Sequence, residues 1–97
     1  MLIKLNKFGT TLISRQAGKE ALAAFEPTLR SIITDEKVEI DFEGVVTFTP
    51  SWGDEFLTPL LKRYGKNLFL RNTSNLSVQA TLGMLEEVNK EKFLIKK

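Results

Sequence analysis

Neither cysteine nor histidine occurs in this chain of 97 residues. Without cysteine there are no disulfides, thiolate metal sites or cysteine nucleophiles, a composition that fits a reducing cytosol. Without histidine the commonest general base and metal ligand is missing, and no side chain titrates near neutrality unless its surroundings shift it. Long apolar runs are lacking too. No stretch approaches the roughly 18 residues of a membrane span, and Met1-Leu2-Ile3-Lys4 opens no extended apolar leader. Glycine-rich phosphate loops and metal-ligand spacings are equally missing. Asp41, Glu43, Asp54 and Glu55 supply carboxylates, but nothing in the sequence sets a separation or a cleft for acid-base work, so surface and capping roles are expected of them. The expectation is a cytoplasmic protein with no cofactor, no metal and no membrane span, and not an enzyme.

Charge of one sign is also in short supply. Fourteen basic and twelve acidic residues leave a formal charge of +2, with the signs interspersed until Lys90, Lys92, Lys96 and Lys97. Binding through phosphates needs an aligned basic patch. A cluster at the terminus reads instead as a solvated tail, and no nucleic-acid partner is expected.

What the chain does have is enough apolar material, 42%, for one modest core, so residues 1–97 read as a single domain. Leu2 to Leu5 and Thr10 to Ile13 are β-prone pieces around a turn-like Asn6-Lys7-Phe8-Gly9, which predicts a hairpin. Ser14 stands as an N-cap for a helix whose Ala17, Ala21, Phe25, Leu29 and Ile32 share a stripe, with Pro27 predicting a kink or break. After the turn-like Thr34-Asp35-Glu36, strict alternation over Lys37 to Phe42 puts Val38, Ile40 and Phe42 on one strand face and Glu39 and Asp41 on the other, polar one. Glu43 to Pro50 reads as a link. Beyond Ser51, the spacing of Trp52, Phe56, Leu60 and Tyr64, with Leu57 and Leu61 beside them, predicts a helix that Gly65 ends and in which Pro59 removes one bond. Leu68 to Arg71 is a short strand. Ser74 or Asn75 caps a last helix with Val78, Leu82, Leu85 and Val88 on its core face, and Phe93-Leu94-Ile95 is either an edge strand or a docked tail. Strands alternating with helices point to an α/β domain, a mixed sheet of four to five strands with three helices packed mainly on one face.

The stretch from Val38 to Phe56, VEIDFEGVVTFTPSWGDEF, resembles the STAS-like family of bacterial proteins of unknown function. A strand ending in Asp-Phe leads through Gly-Val to a Ser-aromatic-small-acidic-Glu motif that opens a helix, and Ile13-Ser14-Arg15 is similar at the first helix. More distantly the layout resembles the anti-sigma factor antagonists. In that wider family a serine at the helix start is phosphorylated by a partner ATPase-kinase, and the phosphate breaks the complex. Counted from Asp41, the phosphorylated position falls on Pro50, with Thr49 before it and Ser51 after it.

The resemblance implies a regulatory protein-interaction module that docks to a partner, a histidine-kinase-like ATPase, through residues 47–55. Its candidate residues are Thr49, Ser51, Trp52, Asp54 and Glu55. The residues themselves leave alternatives open. Ser51 reads either as a phospho-switch or as a plain cap, with Asp54 three positions on in a near capping-box pattern. Trp52 reads either as core or as an interface anchor at the core's edge. The free N–H groups at the helix start also suit a sensor domain holding a small anion or nucleotide.

Overall fold

The computed structural model describes residues 1–33 and 35–96; Thr34 of the expected turn and Lys97 of the basic terminus lie outside the described residues. Strands β1 (Leu2–Lys4), β3 (Val38–Asp41), β5 (Leu68–Arg71) and β6 (Leu94–Ile95) form a four-stranded sheet in the order β1-β3-β5-β6. Every pairing in it is parallel. β2 (Thr11–Leu12) and β4 (Thr47–Phe48) make a separate parallel ladder. Three α-helices occur among the described residues: α1 (Arg15–Leu29), α2 (Pro50–Tyr64) and α3 (Leu76–Asn89). The expected α/β architecture of a sheet with three helices is therefore present.

Alternation along β3 does what its sequence predicts. Val38, Ile40 and, just past the strand, Phe42 are buried, with Ile3 of β1 and Leu68 and Leu70 of β5 in register beside Ile40 and Val38. They join Phe25, Phe56, Leu60, Leu82 and Leu85 from the helices in one apolar cluster. The intervening residues Leu2, Glu39, Phe69 and Leu94 face the uncovered side, where Glu39 pairs with Arg71 at 3.2 Å and with Lys96. Asp41 departs from the expectation of a solvent-facing acid, being only 4% exposed. Its carboxylate accepts from the Glu43 N–H at 2.9 Å and from Asn72 Nδ2 at 2.7 Å, so it closes the turn after β3 and ties it to the loop after β5. Burial opposes its charge, yet those two donors and the nearby Arg71 and Lys4 outweigh burial and hold its pKa below the usual carboxylate range.

The N-terminal hairpin does not form. A 3₁₀ turn over Leu5–Phe8 separates the two pieces; it buries Leu5 and lays Phe8 against Phe25, Trp52 and Phe56, with ring centroids 6.0, 6.2 and 5.2 Å away. The apolar content of that turn draws it onto the helices, so β1 pairs with β3 and β2 with β4. Nor is Glu43 to Pro50 a plain link, since it contains β4. Ser14 caps α1 as expected, accepting from the Ala17 N–H at 3.0 Å. The stripe behind it is shorter than expected, however: Ala17 is exposed and Ile32 lies beyond the helix. Pro27 sits so near the end of α1 that losing one bond does not break it before Leu29. Gly65 ends α2 with φ 51°, its N–H reaching the Leu61 carbonyl. Asn75, rather than Ser74, caps α3. Val88 is exposed and not on the core face, because Val78, Thr81, Leu82 and Leu85 already fill it. Phe93 is buried, and the residues after it form the edge strand β6.

Candidate functional site

β2 and β4 pair parallel, so the starts of α1 and α2, which follow them, lie side by side. α1 crosses α2 closely at Gly18. A Cβ there would stand 2.6 Å from the Trp52 carbonyl oxygen and 3.1 Å from its Cα, so only glycine permits the approach. Arg15, three residues before Gly18, is thereby brought to α2 and donates to Asp54 at 3.0 Å and Glu55 at 2.6 Å. Hydrogen bonds to Asp54 and then Glu55 raise the guanidinium pKa further. Asp54 also accepts from Thr58 at 3.1 Å, one turn along. These two acids therefore stand on the second turn of α2 as a charged cluster with Arg15, not on the first turn as part of a capping box.

The cap of α2 is Thr49. Its Oγ1 accepts from the Trp52 N–H at 3.4 Å and donates to the Ile13 carbonyl, while its own N–H reaches the Leu12 carbonyl at 3.0 Å. Pro50 occupies the first helical position, where its fixed φ and missing N–H cost nothing. Ser51 is thus inside the helix and does not cap it. The residue is half-buried, and its hydroxyl is not among the side-chain groups that hydrogen-bond in the described residues. Replacing Thr49 with alanine is accordingly expected to cost about 0.5–2 kcal/mol, whereas Ser51→Ala stays within about 0.5 kcal/mol. Urea unfolding of the two variants measures the difference, and a costlier Ser51→Ala would return the cap to Ser51.

Trp52 is 1% exposed. Its indole stacks on Phe56 with centroids 4.9 Å apart and meets Phe48 edge-on at 6.0 Å, so the edge position that an anchor needs is not what the fold provides. The anion reading also loses donors: Pro50 has no N–H and that of Trp52 goes to Thr49, which leaves Ser51 as the first-turn donor.

Several contacts that position the site had no reading from sequence, although Asn75 itself is expected as a cap. Ser77 of α3 accepts from the Phe48 N–H at 3.0 Å, and Ser77 and Thr81 donate to its carbonyl, while Asn75 donates to the carbonyls of Val45 and Val46. The start of α3 thereby holds the strand that leads into Thr49. Gly53 is equally constrained, since a Cβ would come within 2.9 Å of Phe48 Cζ and 3.0 Å of Leu85 Cδ1. A glycine inside a helical pattern is the one sequence signal that points to such close packing. Beside the charged cluster runs a shallow groove of about 230 Å³, lined by Arg15, Pro50, Asp54, Met84, Leu85 and Val88. No group of three or more acidic side chains able to hold a metal occurs among the described residues, and none of their helices is long and apolar enough to cross a membrane.

A family model described as a STAS-like domain of unknown function (DUF4325) matches residues 17–77, which include α1, β3, β4, α2 and β5 from Ala17 onward. No curated protein and no solved structure matches the chain.

Proposed function

This chain belongs to the STAS-like family, and on that premise we propose that it is a regulatory protein-interaction module, not an enzyme, that docks through the start of α2 and the adjoining start of α1. The partner proposed is a histidine-kinase-like ATPase. The observation that carries the reading is the division of labour among the hydroxyls: Thr49 is spent on the cap and on Ile13, while Ser51 beside it is left out of the hydrogen bonding that holds the fold.

Ser51 is therefore the phospho-acceptor of this proposal, and Thr49 is not. Asp54 and Glu55 follow it at three and four residues, on the same helix face. A phosphate on Ser51 adds about −1.5 to −2 charges there, repels both carboxylates and competes for Arg15, so the charge pattern that a partner meets is rearranged. Intact-mass spectrometry after incubation with a histidine-kinase-like ATPase of the same organism, and ATP, tests this. One phosphate is expected on the wild type and Thr49→Ser, and none on Ser51→Ala. No phosphate under conditions where the two proteins bind would overturn the switch and leave a constitutive docking module.

A further inference from the structure

Leu76, Ala80, Met84 and Val88 follow one another at four-residue intervals along α3, and all are exposed, Leu76 by 80%, Met84 by 54% and Val88 by 73%. Rows of this spacing are the ridges by which helices pack into one another's grooves. The opposite face of α3, with Val78, Leu82 and Leu85, is already in the core. We propose that a second copy of this chain covers the ridge, the two α3 helices packing antiparallel about a two-fold axis level with Leu82.

The ridge is complementary to itself. In a two-fold contact, whatever one copy's residue meets, the other copy's meets in return. With the axis at that level, each Met84 lies over the second copy's Ala80 and each Leu76 meets the second copy's Val88, so a large side chain falls on a small one at the centre. Charge agrees with shape. Glu87 is exposed beside the ridge, and α3 has no acidic residue in its own first turn. Antiparallel pairing carries Glu87 to the level of Ser77 in the second copy, where the positive end of the helix favours a carboxylate. The two Glu87 side chains stand about ten residues of helix rise apart, about 15 Å, more than the Debye length of roughly 8–10 Å, so they do not oppose the contact. A single helix face buries less than the roughly 1,200–2,000 Å² of a standard interface, and the dimer accordingly dissociates on dilution. This contact does not rest on the docking reading above, although Met84 and Val88 also line the groove beside Arg15 and Asp54, so the two surfaces adjoin.

Sedimentation equilibrium of the full chain, from low micromolar to near-millimolar concentration, tests the proposal. A reversible monomer–dimer equilibrium is expected for the wild type, weakened at least tenfold in Ala80→Glu and again in Met84→Lys. Both positions are exposed, so the variants are expected to give ordinary helical circular dichroism at low concentration. A wild type that stays monomeric throughout overturns the proposal. A folded variant of either kind whose dimer is weakened by less than tenfold overturns it as well.

Discussion

Trp52→Ala is expected to remove about 3–5 kcal/mol of stability, a large share of the roughly 5–15 kcal/mol available to a domain. The indole is buried between Phe48 and Phe56, with Phe8 closing over it at 6.2 Å. Alanine would leave a cavity bounded by aromatic rings from separate elements, and rings anchored that way cannot all move in to fill it. Chemical denaturation followed by tryptophan-independent circular dichroism measures the loss, and a cost below about 1 kcal/mol would contradict the packing described. Any loss of partner binding in this variant follows from the loss of fold, so Trp52 is a poor choice for mapping the interface.

Gly18→Ala is expected to destabilise although helix propensity alone favours it. Alanine gains about 1 kcal/mol over glycine in a helix interior. Here the new methyl would sit 2.6 Å from a backbone oxygen of α2, and backbone cannot swing aside as a flexible side chain can. Overpacking of this kind costs about 1–3 kcal/mol and occasionally more, so the net change is a loss of up to about 2 kcal/mol. Gly83→Ala supplies the contrast. Nothing lies within 4 Å of the Cβ it would add, and a gain of about 0.5–1 kcal/mol is expected. Thermal melts of the two variants at low protein concentration are expected to move in opposite directions; a stabilised Gly18→Ala would mean that α1 and α2 do not touch as described.

The parts of the fold governed by periodicity are the parts that could be read from the chain. Val38, Ile40 and Phe42 alternate, and Phe56, Leu60, Leu82 and Leu85 recur at helical spacing, because each element has one face to bury and a residue's position along it decides which face it joins. What escaped reading depends on partners distant in sequence. β2 and β4 contain two residues each, too few to carry a period, and exist only because the Thr10 and Leu12 carbonyls meet the N–H groups of Val46, Thr47 and Thr49. A parallel pairing of β1 with β3 cannot be told from a local hairpin by composition alone. The cap shifted from Ser51 to Thr49 because Pro50 is well suited to the first helical position, which places the cap one residue earlier. Asp41 looks like a solvent-facing acid in an alternating strand, and what makes its burial tolerable is the Glu43 N–H together with Asn72, which arrives from the loop after β5. Of the candidate site, Asp54 and Glu55 were visible as acids, but their union with Arg15 required the close crossing at Gly18.

The proposed docking face is tested most directly by calorimetric titration of a histidine-kinase-like ATPase of the same organism with this protein and with two variants, Ser51→Glu and the double change Asp54→Lys with Glu55→Lys. All three side chains are only half-buried at the start of α2, and none contributes to the apolar cluster, so thermal melts are expected to find both variants folded. The account expects the wild type to bind and each variant to bind at least tenfold more weakly, a loss of about 1.4 kcal/mol or more. Wild-type affinity in a folded protein whose charge at this face has been inverted would contradict it.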